Sequence, residues 1–230
     1  MCIRDRLEIR QAGQEFDKMR KRILRHLNQR TEMLSGISHD LRTPLTRMKL
    51  LIAFIKDKDL AKKLAEDISE MEKMLNEYLQ FTSSSYIEKD EMFNLSELTE
   101  EIINKYNNKN IQIDLLPRVY INGRKNLINR CLNNIIDNAL KYGNKVEIKL
   151  SKENSNLLII IDDDGSGIPE KEYENVFKPF YKIDKGRAET KSSVGLGLSI
   201  ASDIVKSHGG NIILNKSKMN GLSVKISLPV

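Results

Sequence analysis

The sequence has few cysteines and no long apolar segment, and these absences exclude several classes of protein. Its 230 residues include two cysteines, Cys2 and Cys131, which are too few for a disulfide framework and favour a reducing compartment. Neither has a histidine or a second cysteine at metal-ligand spacing, so no zinc site is predicted. No apolar run reaches the roughly 18 residues of a membrane-spanning helix, and no signal-peptide pattern opens the chain.

The excess of positive charge is concentrated near the N-terminus. The net charge is +6, and residues 1–30 hold nine basic and four acidic side chains, a local excess of +5. Aromatic side chains do not interleave with these charges, so we predict no nucleic-acid partner. The segment is typical of a juxtamembrane signalling helix, because basic residues favour the cytoplasmic face of a membrane. A solvated helix face is the alternative.

The first third of the chain has the apolar period of α-helices. Residues 7–55 predict one long helix or two stacked helices, and Pro44 is expected to kink this segment. After a short polar connection at 56–59, a second helix carries an apolar face over 60–79. A hairpin of this size cannot bury its apolar stripe alone. We therefore predict a homodimer in which two copies form a four-helix bundle.

The polar run at 82–85 predicts a linker, and after it helices and strands are mixed. Strands are predicted at 111–115, 119–121, 146–150, 157–162, 211–214 and 223–228, and helices at 95–106, 125–142 and 198–207. This pattern predicts an α/β sandwich with helices on one face of a mixed sheet. The fold class is thus two-domain, an all-α helical hairpin followed by an α/β sandwich.

His39 is the first candidate for chemistry, within Ser38-His39-Asp40-Leu41-Arg42-Thr43-Pro44 on the long predicted helix. The apolar period places it beside, not on, the hydrophobic face. Much of a histidine population is neutral, and therefore nucleophilic, near pH 7, and a carboxylate stands next to this one. A lone helical histidine is usually a solvated surface residue, so this case depends on the motifs downstream. His26 and His208 need no function, and a cationic His208 would suit the end of its helix.

Three downstream motifs have the chemistry of a nucleotide pocket. Asn134 and Asn138 share a helix face, and their carbonyl oxygens are ligands of the kind that Mg²⁺ accepts. Asp163 follows an apolar strand and precedes Gly165 and Gly167. Its carboxylate would lie at the end of the strand, where the two glycines let the backbone pass close to a ligand. Such a carboxylate can accept a hydrogen bond from an exocyclic amine such as that of adenine. Surface amides and an acidic turn are the alternative interpretations.

Glycines also open the last predicted helix. Gly195 and Gly197, in Val194-Gly195-Leu196-Gly197-Leu198, free backbone N–H groups to face an anion at a helix N-terminus. Before them lie Phe177-Lys178-Pro179-Phe180 and then a polar stretch at 182–193, which is expected to be a mobile lid. Each motif alone is weak evidence.

The order of these five motifs resembles that of bacterial two-component sensor histidine kinases, over residues 8–230. The region around His39 is most similar to the osmosensing members of that family. The resemblance implies an N-terminal signalling helix at 1–29 that is similar to the end of a HAMP module. It also implies a dimerisation and histidine phosphotransfer domain at 30–86 and a catalytic ATP-binding domain of the histidine kinase/Hsp90-like type at 87–230.

The resemblance also implies roles for single residues. His39 would accept the γ-phosphoryl group of ATP, Asp40 would orient and polarise its imidazole as a general base, and Thr43 would position a water for phosphatase activity. Asn138 would ligate Mg²⁺, supported by Asn134. The remaining residues implied for ATP binding are Lys141, Tyr142, Asp163, Gly165, Gly167, Lys182, Gly195, Leu196, Gly197 and Leu198.

As a member of this family, the chain would pass its phosphoryl group to an aspartate of a response regulator receiver domain. It would form the cytoplasmic portion of an inner-membrane protein whose sensor region lies upstream. Two positions depart from the usual family pattern: Ser193 replaces a glycine, and Lys182 stands where an arginine is common. A lysine pairs with phosphate as a point charge and lacks the bidentate fork of arginine.

The sequence is also compatible with two other functions. The ATP-binding motifs also resemble those of the gyrase, Hsp90 and MutL ATPases, which would make the protein an ATP-hydrolysing conformational switch. Those enzymes carry a glutamate, as a base for water, at the position of Asn134. A non-catalytic dimeric scaffold is the third possibility, because of Ser193 and Lys182.

Overall fold

The computed structural model describes residues 3–83, 88–106, 110–153, 156–183 and 195–229. The chain divides into two compact units, Met1–Tyr86 and Ile87–Val230. Half of the predicted linker and most of the expected lid, including Ser193, lie outside the described residues.

The N-terminal unit is a helical hairpin. Helix α1 spans Ile3–Ile52 and includes Pro44, so the long apolar period forms one helix and not two stacked ones. Helix α2 spans Lys58–Ser83. It begins two residues before the predicted start, because the Asp57 carboxylate accepts hydrogen bonds from the backbone N–H groups of Asp59 (3.0 Å) and Leu60 (3.1 Å). Asp57 is thus the N-cap of α2.

Among the side chains that the structure describes, the hairpin buries few apolar ones within one copy of the chain. Leu45 and Ile68 are buried, and an ion pair between Lys49 and Glu72 joins α1 to α2. Leu41 and Met71 stay 46% and 51% exposed. Exposed apolar side chains along both helices are the surface that a second copy would cover in a four-helix bundle.

The C-terminal unit contains seven strands in two sheets within its described residues. They are β1 Glu91–Asn94, β2 Ile111–Leu115, β3 Tyr120–Gly123, β4 Val146–Glu153, β5 Asn156–Asp163, β6 Asn211–Lys216 and β7 Leu222–Pro229. Strands β1 and β3 pair antiparallel. The larger sheet has the order β2-β4-β5-β7-β6, parallel between β2 and β4 and antiparallel elsewhere. Strand β1 was not predicted, because its four residues bury only Phe93 and show no period.

Three helices complete the described part of this unit: α3 Leu95–Asn104, α4 Lys125–Tyr142 and α5 Gly197–Ser207. Short 3₁₀ turns lie at Glu170–Glu172 and Asn175–Phe177. Helix α4 has the predicted bounds, and α3 ends two residues before the predicted end. Alternate side chains of β4 are buried. Strand β5 buries the residues paired with them and also Leu158, so one face of the mixed sheet carries most of the core. The predicted α/β sandwich is confirmed.

His208 connects two helices of this unit. Its Nδ1 lies 2.8 Å from the carbonyl oxygen of Ile204, and its Nε2 accepts the backbone N–H of Arg124 at 3.1 Å. The side chain therefore cross-links the end of α5 and the start of α4.

Candidate functional site

Helix α4 brings the two amides of the predicted site to one face. Asn134 and Asn138 are four residues apart and both are partly buried. The Nδ2 atom of Asn134 is buried and has no hydrogen-bond partner among the described residues. A buried donor without a partner is costly, so a ligand that accepts from it would recover that free energy. The first residue of α5, Gly197, lies against the backbone of Asn134, because a Cβ there would be 3.8 Å from its carbonyl oxygen.

Asp163 ends β5 as a buried carboxylate with two unequal oxygens. Oδ1 accepts the backbone N–H groups of Gly165 (2.8 Å) and Leu222 (3.0 Å). No donor in the described part of the chain reaches Oδ2. Burial raises the pKa of Asp163, and the two backbone N–H groups oppose that shift. The arrangement holds one oxygen and leaves the other as an acceptor for a ligand.

Gly221 is a residue of this site that sequence reasoning missed. A Cβ at this position would collide with the Oδ1 and carbonyl oxygen of Asp163 and with the backbone nitrogen of Gly165. Only glycine leaves room for the carboxylate here. The sequence marks Asn220-Gly221 as a turn, but it does not show which strand end the turn approaches.

Asp164 fixes the turn that follows α4. Its Oδ1 accepts the backbone N–H groups of Asn144 (2.6 Å) and Lys145 (2.8 Å). The last two residues of α4, Lys141 and Tyr142, are predicted nucleotide contacts, and the Lys141 Nζ lies 5.2 Å from the centroid of the Tyr142 ring. Sequence reasoning missed this role of Asp164, which ties the end of α4 to the loop of Asp163.

We expect Asp164→Asn to lower the stability of the protein at neutral pH more than at about pH 3. The N–H groups of Lys145 and Asn144 lower the pKa of Asp164 in the folded state, so folding favours the ionised form. This stabilisation is present above the unfolded-state pKa and is lost as pH falls through the folded-state value. Urea unfolding at the two pH values measures it. Asp162→Asn is the control, and equal pH dependence of the two variants would contradict the assignment.

The start of α5 has the features of an anion site. No side chain caps this helix, so the N–H groups of its first turn lack a side-chain acceptor within the described residues. Gly195 has a φ of +79°, which favours glycine, and Gly197 opens the helix. The side chains of Leu196 and Leu198 are buried, so these residues offer the pocket only their backbone.

The remaining predicted pocket residues divide into packed glycines and an exposed lysine. Gly165 lies against the carbonyl of Tyr142, and Gly167, with a φ of +66°, lies against Gly221. Lys182 is exposed and directly follows the turn at Phe180 and Tyr181.

His39, Asp40 and Thr43 belong to α1 of the other unit. Asp40 and Thr43 are exposed, and Thr43 lines an open depression with Arg42 and Arg47. The side chain of His39 lies outside the described residues. Within the C-terminal unit, the structure brings together the Asn134, Asp163 and glycine motifs, which lie far apart in the sequence.

Two family profiles match the chain in the order of these units. Residues 29–86 match the His Kinase A (phospho-acceptor) domain. Residues 123–230 match the histidine kinase-, DNA gyrase B- and HSP90-like ATPase domain. The chain belongs to the two-component sensor histidine kinases. The family assignment made from the motifs is confirmed, and with it the ATP-binding fold of the C-terminal unit.

Similar sensor histidine kinases occur in several bacteria. GtrS of Pseudomonas aeruginosa is 33% identical over 225 residues, which are 96% of this chain and 46% of GtrS. CpxA of Escherichia coli is 29% identical over 233 residues, 95% of this chain and 51% of CpxA. The chain thus spans about half the length of these relatives.

Solved structures support the fold. The catalytic domain of histidine kinase ThkA has a TM-score of 0.53 at 26% identity, over 61% of this chain and 95% of that domain. Full-length ShkA, solved in complex with AMPPNP, has a TM-score of 0.67 over 86% of this chain and 45% of ShkA. At 19% identity, ShkA shows the fold alone. None of the helices in the described ranges has both the length and the apolar content to cross a membrane.

Proposed function

We propose that this protein transfers the γ-phosphoryl group of ATP to His39 and passes it to an aspartate of a response regulator. The observation that carries the proposal is the Asp163 carboxylate, buried with Oδ1 held by two backbone N–H groups. Its second oxygen is an acceptor without a donor in the described residues, which fits the exocyclic amine of adenine. This acceptor would recognise the adenine base, and the other residues of the site would bind the phosphates.

The residues present fit Mg-ATP. The buried Nδ2 of Asn134 lacks an acceptor among the described residues, and the uncapped N-terminus of α5 favours anions. Asn138 would hold Mg²⁺ through its side-chain oxygen, with Asn134 in support. When bound, Mg²⁺ neutralises charge on the phosphate oxygens. Lys141 and Tyr142 would contact the nucleotide, and Lys182 would pair with a phosphate as a point charge.

The reaction needs little covalent chemistry from the protein. One ring nitrogen of His39 attacks the γ-phosphorus, the bond between that phosphorus and the departing ADP oxygen breaks, and a phosphoramidate forms. Asp40 accepts a hydrogen bond from the other ring nitrogen, which holds the tautomer, and as general base it takes the proton that the ring loses as the phosphoramidate forms. Catalysis then consists of positioning and charge neutralisation.

The composition of α4 favours a kinase over an ATP-hydrolysing switch. A switch of the gyrase type needs a carboxylate to take a proton from water, and Asn134 has an amide where that carboxylate would stand. An amide is not a base at neutral pH. The α1 segment with His39 supplies a phosphoryl acceptor instead.

Incubation with γ-labelled ATP and Mg²⁺ tests the proposal. We expect label on the protein that is stable in base and labile in acid, the behaviour of a phosphoramidate. Steady-state release of phosphate without labelled protein would favour the ATP-hydrolysing switch. A protein that neither hydrolyses nor binds Mg-ATP, measured by calorimetry, would be the scaffold.

Thr43 is proposed to act in the reverse direction, removing phosphate from the regulator. Its hydroxyl is one helical turn from His39 on α1, where it can orient a water. We expect Thr43→Ala to autophosphorylate at a rate near that of the unmodified protein and to dephosphorylate its regulator about 10-fold to 100-fold more slowly. Thr46→Ala, one turn further along, is the matched control. Equal phosphatase rates for all three proteins would remove Thr43 from the mechanism.

The proposed assembly follows from the same family assignment. The exposed apolar side chains of α1 and α2 would be covered in a homodimer, and the receiver domain of a regulator would supply the aspartate. We propose that residues 1–29 are a HAMP-like signalling helix and that the protein acts on the cytoplasmic side of an inner membrane, with a sensor region upstream.

A further inference from the structure

A hydrogen-bonded network lies outside the pocket described above, on the two 3₁₀ turns. The hydroxyl of Tyr181 donates to Oε2 of Glu172 at 2.6 Å, and the same oxygen accepts from Nδ2 of Asn175 at 3.1 Å. The other end of the Asn175 amide accepts from Nζ of Lys178 at 2.7 Å. Glu172, Asn175 and Tyr181 are partly buried, and Lys178 is exposed.

The network braces a turn whose backbone is strained. Phe180 has a φ of +64°, an uncommon conformation for a bulky residue. Its N–H donates to the carbonyl of Gly195 at 3.0 Å, and the N–H of Tyr181 donates to the carbonyl of Lys178 at 3.2 Å. A conformation of this kind persists only where surrounding contacts determine it. The phenol of Tyr181, held by Glu172, is a contact of that kind.

The braced turn touches the phosphate end of the proposed pocket. A Cβ on Gly195 would be 2.8 Å from the carbonyl oxygen of Tyr181, so the two backbones are in close contact. Gly195 leads through Leu196 into Gly197, which lies against Asn134 of α4. Lys182 follows Tyr181 directly and therefore leaves the turn beside the start of α5.

We propose that Glu172 and Tyr181 are a positioning pair that fixes the turn from which Lys182 reaches the phosphates of ATP. The proposal rests on the proposed function. A lysine carries a compact charge on a flexible stem and has no planar fork to orient itself. Its placement then depends on the backbone that carries it, and the hydrogen bond between Glu172 and Tyr181 holds that backbone.

The titration of the pair agrees with this geometry. The hydrogen bond from Tyr181 is the largest cause that lowers the pKa of Glu172, and the same bond raises the pKa of Tyr181. Glu172 therefore stays ionised and Tyr181 stays protonated across the neutral range, so the donor and the acceptor keep their roles.

Tyr181→Phe is the direct test, because it removes only the hydroxyl. We expect the dissociation constant of Mg-ATP, measured by calorimetry, and the KM for ATP in autophosphorylation to rise about fivefold to tenfold. Glu172→Ala should give the same rise, and Glu172→Gln, which still offers an oxygen, a smaller one. Tyr173→Phe is the matched control, since its hydroxyl makes no hydrogen bond within the described residues and its loss should leave both constants unchanged.

A double-mutant cycle of Tyr181→Phe with Lys182→Met distinguishes a positioning role of the pair from a purely structural one. If the pair acts through Lys182, Tyr181→Phe should add no further loss of affinity in the Lys182→Met background. The full effect of Tyr181→Phe in that background would overturn the proposal, and so would a Tyr181→Phe protein that binds Mg-ATP as tightly as the unmodified chain. Failure of the unmodified chain to bind Mg-ATP would instead overturn the proposed function.

Discussion

His39→Gln is expected to abolish the incorporation of label from γ-labelled ATP while Mg-ATP binding stays within about twofold of the unmodified protein. Glutamine keeps a polar side chain of similar length on α1, but its amide is not a nucleophile for phosphorus. The nucleotide pocket belongs to the other compact unit of the chain, so its residues are unchanged. Loss of labelling with retained binding is the signature of a missing acceptor.

His26→Gln is the matched control for this variant. His26 lies on the same helix and is exposed, and it has no place in the proposed reaction. The His26→Gln variant should incorporate label at the same rate as the unmodified protein. Label that persists on His39→Gln would show that another residue accepts the phosphoryl group, and loss of label in both variants would indicate damage to α1 and not loss of the acceptor.

The second large effect is expected for Asp163→Asn, which should weaken Mg-ATP binding by about 100-fold. In the native protein, Oδ1 of the carboxylate accepts hydrogen bonds from two backbone N–H groups. In the proposed complex, Oδ2 accepts a hydrogen bond from the exocyclic amine of adenine. An asparagine has one acceptor and one NH₂ group, so it must turn its NH₂ either toward the backbone donors or toward the amine of adenine. In either orientation two hydrogen-bond donors face each other, and a charge-assisted hydrogen bond is lost. Such a bond contributes about 1.5–3 kcal/mol to the binding free energy.

A comparison of nucleotides separates loss of base recognition from loss of folding. Guanine carries a carbonyl where adenine carries its amine, so unmodified protein should prefer ATP to GTP. In the Asp163→Asn variant the new side-chain NH₂ can donate to that carbonyl, and the preference should fall or reverse. Thermal unfolding checks that the variant is folded. A folded Asp163→Asn protein that keeps both its ATP affinity and its preference would exclude Asp163 as the reader of the base.

Much of the architecture follows from local sequence patterns. Helix α4 was predicted with its observed bounds because the apolar face over 125–142 is long and regular. Of the seven strands described in the C-terminal unit, β2 was predicted with its observed bounds and five others at shorter or shifted bounds. Strand β1 was missed because a four-residue strand has too few positions to show alternation. The start of α2 was misplaced because the capping role of Asp57 was not recognised.

The site residues proposed from the sequence are those that stand in short motifs. Chemistry-bearing residues such as Asn134 and Asp163 stand in recognisable short motifs, because amides, carboxylates and glycines at fixed spacing have few uses in a core. The residues that hold these side chains in place do not stand in such motifs. Asp164, Glu172 and Gly221 resemble ordinary surface or turn residues until their contacts are known.

The sequence by itself determined the order of the elements and the type of chemistry: a histidine on a helix, followed by amide, carboxylate and glycine motifs in one order. Only the tertiary structure decided which atoms face one another. The N–H of Leu222 reaches Asp163 across 59 residues because β5 and β7 pair, and that register also brings Gly221 against the carboxylate. The N–H of Arg124 likewise reaches Nε2 of His208 across 84 residues. Such contacts depend on strand pairing and helix packing, and local periodicity carries no record of them.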